Sequence, residues 1–256
     1  MINVVIPMAG QGKRFLDKGI KTPKPLIEIN SEAFISHVID NITFKDSIFY
    51  FLIREEHLKQ NDFESLFLKK KINYKIITVK EITEGAVSTV LLSFKEINKD
   101  IPLIIKDCDQ VMNWSKDNFM EFVSRKKNDG VLVTVPTMNP GFSYVELKDD
   151  MSSVIRTKEK EVVSSFGNTG CYYFNKTSEF EVYANKMIKK NIRVNNEFYV
   201  SQVYNEYILD NKKIIHYPVV EIFSINTPEE LTENKDKMGI FLNNQKNYKY
   251  INAKYI

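Results

Sequence analysis

The chain has 256 residues, 43% of them hydrophobic, enough to bury the core of an α/β domain or of two small ones, and a single domain is the expectation. Its 36 Lys+Arg and 33 Asp+Glu leave a formal net charge of +3, spread along the chain; this excludes a nucleic-acid-binding stripe and leaves any anionic partner to a few placed cations. Cys108 and Cys171 stand far apart and outside any CxxC pair, which excludes a zinc or disulfide framework. With "IFYFLI" as the most apolar run and no cationic leader, the expectation is a soluble, cytoplasmic protein with no membrane partner.

Short β-rich runs alternate with stretches of helical period, the pattern of a mainly parallel sheet with helices on both faces. Ile2 to Ile6 is the first strand, and it runs into "PMAGQGKRF", Pro7 to Phe15. A Walker A loop is excluded there, because Pro7 stands where its first glycine belongs and Arg14 replaces the hydroxyl after Lys13. A Rossmann fingerprint fits poorly, since Phe15 occupies the third small position. Two readings stay open on local grounds: a loop whose glycines let backbone N–H groups approach a nucleotide, with Lys13 and Arg14 supplying charge, or an ordinary turn with exposed cations. "KTPKPLIEI" follows, Lys21 to Ile29. Prolines on both sides of Lys24 stiffen the backbone and lower the entropy cost of holding a phosphate, although a solvated turn has the same look.

Ser31 is placed to cap a helix whose apolar side is Phe34, Ile35, Val38, Ile39 and Ile42. Further strands are expected at Ile48 to Ile53, Tyr74 to Val79, Leu103 to Lys106, Val131 to Val135, Tyr144 to Leu147, Cys171 to Phe174 and Ile214 to Pro218. Helical spacing covers His57 to Leu68, Val87 to Ile97, Trp114 to Arg125, Phe180 to Ile188 and Val200 to Leu209. Between Asn139 and Gly167 the rhythm shortens into strands and turns, and after Gly239 the chain is polar. In "IIKDCDQV" a strand ends in Asp-x-Asp. Alternation puts Asp107 and Asp109 on one side, able to share a hard cation, with Cys108 pointing away into packing. His37, His57 and His216 lack ligand spacing and read as core or surface, and no Gly-x-Ser-x-Gly elbow supports acyl transfer.

"MAGQGKRF" followed by "TPKPL" resembles the signature of the sugar-phosphate nucleotidyltransferases, roughly Gly-x-Gly-Thr-Arg-Leu and then Pro-Lys-Pro-Leu. The resemblance implies a GT-A-like, Rossmann-like α/β domain over residues 1–240, with a β-rich acceptor subregion at about 139–175 and a tail at 241–256. It also implies an Mg2+-dependent enzyme that joins a nucleoside triphosphate to a phosphorylated small-molecule acceptor and releases pyrophosphate. Lys13 and Arg14 would hold the β- and γ-phosphates, and Lys24 would bridge the α-phosphate and the incoming phosphate. Met8, Ala9, Gly10, Gln11 and Gly12 would cradle the nucleotide, with Glu84, Gly85, Ser88 and Thr89 of "EGAVSTV" reading the base and Asp107 and Asp109 holding magnesium.

The acceptor half is similar but looser. "TKEKE" resembles a weak Glu-Lys-Pro element, offering Glu159 and Lys160; "NTGCYYF" is similar to an Asn-x-Gly-x-Tyr strand, offering Asn168 and Gly170; "NNEFYVSQV" offers Glu197. "FSINTPEEL" departs from the family's Trp-x-Asp-x-Gly-Thr-Pro-Glu-Asp-Leu: Ser224 stands at the second metal-binding aspartate and Asn226 at the glycine. The overall look is similar to the small cytidylyltransferases of capsule pathways, which implies CTP as donor, phosphoglutamine or a sugar phosphate as acceptor, and a homodimer as a reasonable state. Alternatives are a thymidylyl-, uridylyl- or guanylyltransferase acting on a sugar 1-phosphate, a GT-A glycosyltransferase, or a non-catalytic nucleotide-sensing module.

Overall fold

The structure is a computed structural model and describes residues 1–245. A nine-stranded mixed sheet organises it. Its parallel half runs Asn73–Val79, Ser47–Arg54, Ile2–Met8, Leu103–Lys106, with Ile2 opposite Ser47 and Asn3 opposite Leu103. Next comes Phe166–Phe174, antiparallel to Leu103–Lys106 on one edge and to Gly130–Pro136 on the other, with Ile214–Pro218 parallel to the latter. The hairpin Ser143–Leu147 and Val154–Glu159 joins the start of Phe166–Phe174.

The sheet is covered on both faces, so its central strands are apolar throughout. Ile2, Val4, Ile6 and Met8 face one core with the helices Phe34–Ile42, Phe63–Lys69 and Lys116–Arg125. Val5, Leu103 and Ile105 face a second core with Ala86–Leu91, Thr177–Lys189 and Val200–Leu209. No helix among the described residues is long and apolar enough to cross a membrane.

Several elements differ from expectation for local reasons. Ser31 does not cap a helix: Asn30 and Ser31, with φ of 52° and 62°, form the two-residue turn of a small hairpin, Glu28–Ile29 with Glu32–Ala33, and the helix starts from Ala33. The stretch expected as one helix from His57 to Leu68 divides into Glu55–Gln60 and Phe63–Lys69, because the Asp62 side chain accepts the Ser65 N–H and starts the second helix. Ala86–Leu91 tightens into a 3₁₀ turn, Leu92–Lys95. The polar stretch after Gly239 continues the helix Pro228–Gln245, whose Met238, Phe241 and Leu242 are buried; the rest of the expected tail, 246–256, lies outside the described residues.

Parallel strands end at the same edge of the sheet, and crevices form outside their carboxyl ends. The loops after Ile2–Met8, Ser47–Arg54 and Leu103–Lys106 therefore converge. A two-stranded ribbon missed by the sequence reading, Gln110–Asn113 with Glu221–Ser224, then brings Ile225 beside the Asp-x-Asp turn, where its N–H donates to the Asp109 carbonyl at 2.9 Å.

Candidate active site

A cleft of about 460 Å³ opens at that edge. Met8, Gly10, Gln11 and Gly12 form one wall; Thr22, Pro23, Lys24 and Pro25 form a second; Asp107, Cys108 and Asp109 lie opposite; Glu56, His57 and Gln60 close one end. A larger hollow of about 640 Å³, lined by Leu58 to Glu64 with Ile76 and Thr78, contains none of the glycine-loop or carboxylate residues.

The first loop turns at Gly12, whose φ of 65° suits a residue without Cβ and whose carbonyl accepts the Phe15 and Leu16 N–H groups, starting the short helix Lys13–Leu16. Ala9 is half-buried against the second core. Lys13 and Arg14 are exposed and stand outside the cleft lining, although the charge of Arg14 acts on both Lys24 and Tyr199.

Pro23 and Pro25 set Lys24 at the head of a 3₁₀ turn, with Pro25 buried beneath it. Lys24 Nζ lies 2.9 Å from Asp109 Oδ2, the two side chains being only 21% and 15% exposed, and 5.7 Å from the centre of the buried Phe15 ring. Burial works to lower the Lys24 pKa, but the attraction of Asp109 outweighs it and the net shift is upward. The same pair holds Asp109 below the ordinary carboxylate value against burial. Asp107 is pushed the other way, to about 7, by burial and then by repulsion from Asp109.

The second Asp109 oxygen, Oδ1, is buried without a hydrogen-bond partner among the described residues. An orphaned carboxylate oxygen beside another carboxylate is a donor set that suits a hard divalent cation, so magnesium fits these residues. No cluster of three or more His, Cys, Asp or Glu side chains able to hold a metal occurs among the described residues. Ser224 does not add a ligand: its hydroxyl donates to Glu230 Oε2 at 2.6 Å, and the Asn226 N–H donates to the same oxygen at 3.1 Å. Cys108 packs against the first core, and it also lines the cleft beside the two aspartates, its thiol pushed up to about 12 by burial.

The "EGAVSTV" segment is brought against Phe198 and does not line the cleft. Gly85 has φ 124°, and a Cβ there would sit 2.5 Å from the Phe198 nitrogen and 2.7 Å from its oxygen. Phe198 N–H donates to the Glu84 carbonyl, and Arg193 reaches the Glu84 carboxylate at 2.7 Å while stacking over the Phe198 ring. Thr89 is buried with its hydroxyl on the Gly85 carbonyl, and Ser88 is half-buried.

Glu159, Lys160 and Glu197 do come together, around a residue that the sequence reading overlooked. Lys160 Nζ donates to the Tyr199 hydroxyl at 2.8 Å, and the phenol is raised by burial and then by Glu197. The signal was the aromatic two places after Glu197 in "NEFYV". Ser201 Oγ donates to Glu159 Oε2 at 2.9 Å. Asn168 is buried, its Nδ2 donating to Ser143 Oγ at 2.7 Å. Gly170, with φ 61°, bulges the strand and its carbonyl accepts the Asp107 N–H at 2.8 Å, which joins the strand Phe166–Phe174 to the carboxylate pair.

Burial pushes the Glu159 carboxyl from 4.5 up to about 7, although Ser201 and Lys160 act in the opposite sense. A carboxyl whose pKa rises on folding contributes stability that is fully present below its unfolded value and is lost as pH climbs through the folded one. Glu159→Gln is therefore expected to be more stable than wild type at pH 8, by at most roughly 3 kcal/mol, and to gain nothing at pH 4. Calorimetry at both pH values checks this, and an equal difference at both contradicts it.

No curated protein matches the chain in sequence. Solved structures share its fold. A nucleoside-diphosphate-sugar pyrophosphorylase from Vibrio cholerae RC9 superposes with a TM-score of 0.78 at 22% identity, over 91% of this chain and 99% of that one. An inositol-1-phosphate CTP transferase from T. maritima does so with 0.72 at 11% identity, over 94% and 95%. A UDP-glucose pyrophosphorylase complexed with UDP-glucose gives 0.73 at 15%, over 93% and 98%. Residues 3–215 match the family described as Nucleotidyl transferase, most of the chain and every candidate residue but Ser224 and Asn226 included, and the protein belongs to that family.

Proposed function

We propose that the protein transfers a nucleoside monophosphate, CMP from CTP, to a phosphorylated small molecule, phosphoglutamine or a sugar phosphate, with release of pyrophosphate. The observation that carries this reading is the Lys24–Asp109 pair at 2.9 Å, set between a glycine loop and a second carboxylate in one cleft. Residues 1–240 act as one transferase domain, with 139–175 serving the acceptor.

The chemistry is dominated by charge. A phosphate oxygen of the acceptor attacks the α-phosphorus, forming a P–O bond as the bond to the β-phosphate oxygen breaks and the electron pair leaves on pyrophosphate. Two anions must meet, so positioning and cations carry the catalysis. The backbone of Gly10 to Gly12 lies against the triphosphate, Lys13 and Arg14 close over its β- and γ-phosphates, and Lys24 exchanges Asp109 for the α-phosphate and the incoming phosphate. Asp107 and Asp109 would hold magnesium, which supplies charge neutralisation to the reacting oxygens. Glu84, Gly85, Ser88 and Thr89 border the base, while Glu159, Lys160, Asn168, Gly170 and Glu197 position the acceptor.

CTP is favoured by the likeness to small cytidylyltransferases and by a fold neighbour that is itself a CTP transferase. A cytoplasmic homodimer making an activated precursor for capsule or surface polysaccharide is consistent with that likeness. Neighbours named for nucleotide sugars support a sugar phosphate as the other acceptor class. A thermal-shift screen of CTP, UTP, dTTP and GTP with Mg2+ tests the donor, since a ligand bound only by the folded state raises the melting temperature by mass action. The largest rise is expected with CTP, and pyrophosphate release should then appear with phosphoglutamine or a sugar 1-phosphate. No shift with any triphosphate would favour a different role, and turnover of a nucleotide sugar without pyrophosphate would favour a glycosyltransferase.

A further inference from the structure

Lys106 ends an otherwise apolar strand, yet its side chain is fully buried. An ammonium group only donates, and Lys106 Nζ meets the carbonyls of Asp107 and Thr169, each at 3.2 Å. It thereby ties the turn bearing the carboxylate pair to the bulged strand bearing Gly170. A buried ammonium is costly unless opposite charge lies near, and both Asp107 and Asp109 are within its electrostatic reach. Lys24 is a second ammonium on the same pair. Two carboxylates thus face two ammonium groups, and the Ser224 hydroxyl is turned to Glu230.

We propose that Lys106 is a positioning and charge-balancing residue, and that the site admits a divalent cation only together with the triphosphate, whose oxygens bring the anionic ligands the protein withholds. The proposal rests on the nucleotidyltransferase reading. A bare cation meets carboxylates already matched by two ammonium groups and has to displace Lys24 from Asp109. A cation already carried by a triphosphate arrives with negative ligands and gives Lys24 a phosphate in exchange.

The test is Mn2+ binding to the full chain, followed by electron paramagnetic resonance, with and without CTP. Wild type should bind bare Mn2+ weakly. Lys106→Met, which removes the charge, should tighten bare Mn2+ binding at least roughly tenfold, the effect of removing a unit charge about 6 Å from a divalent ion even under the screening of bulk water. Lys106→Arg should behave as wild type, and Lys106→Gln, which keeps a donor for the carbonyls, should tighten binding like the methionine variant. A purely structural lysine gives the opposite sign, because the loosened Asp107 turn binds the ion less well. Tight bare Mn2+ binding by wild type, or no tightening in the folded variants, overturns the proposal while leaving the enzyme reading intact. Absence of a melting shift with all four triphosphates, CTP, UTP, dTTP and GTP, overturns the enzyme reading, and this proposal with it.

Discussion

Replacing Lys24 with alanine is expected to lower pyrophosphate release about a thousandfold while circular dichroism stays that of wild type. A preorganised cation aimed at charge that develops in the transition state is worth roughly 10²–10³ in turnover when removed. Lys24 is preorganised twice over, by the prolines that fix its backbone and by Asp109, which holds the ammonium in the cleft before substrate arrives. The fold has little dependence on it, because the lysine lies at the cleft wall rather than in either hydrophobic core. Losing the ammonium leaves Asp109 without its partner, so a modest fall in melting temperature should accompany the kinetic effect. Turnover within a few-fold of wild type would refute the role given to Lys24.

Gly170→Ala should damage both stability and turnover. Its φ of 61° disfavours a side chain, and an added Cβ would lie 2.3 Å from Asp107 Oδ2 and 2.9 Å from Asp107 Cβ. Such separations do not occur between real atoms, so Asp107 has to turn away or the bulge has to shift. The cost should be roughly 2–4 kcal/mol, of which the left-handed backbone alone accounts for about 1 kcal/mol. With Asp107 displaced, pyrophosphate release should fall by roughly two orders of magnitude, the loss expected when one element of a preorganised site is misplaced. Chemical denaturation and a pyrophosphate assay measure the two effects. An alanine variant with wild-type stability and turnover would show that the carboxylate pair does not depend on this approach.

The parallel half of the sheet is legible in the sequence because Ile2–Met8, Ser47–Arg54 and Leu103–Lys106 are apolar runs with no polar face to confuse their period. The break at Asn61 and Asp62 is not, since Leu58, Phe63, Leu66 and Phe67 keep helical spacing across it and only the Asp62 cap marks the division. Ser31 reads as a cap until the hairpin turn is seen, because the same residue types serve both. The glycine loop and Lys24 are ambiguous on local grounds and stand out only through the family resemblance, and the fold brings Lys24 and both aspartates into one cleft. Lys106 is invisible in sequence: a lysine next to an aspartate reads as a surface charge, and only packing against Thr169, 63 positions away, shows that it is buried. The loss of a carboxylate at Ser224 is plain from the sequence, whereas its capture by Glu230 depends on how the last helix starts.

The most direct measurement is a crystal structure of the chain with Mg2+ and a non-hydrolysable CTP analogue. The triphosphate should lie along Gly10 to Gly12, its α-phosphate within hydrogen-bonding distance of Lys24 Nζ and the cation on Asp107 and Asp109. A triphosphate bound elsewhere, with Lys24 still paired to Asp109, would contradict the assignment of this cleft.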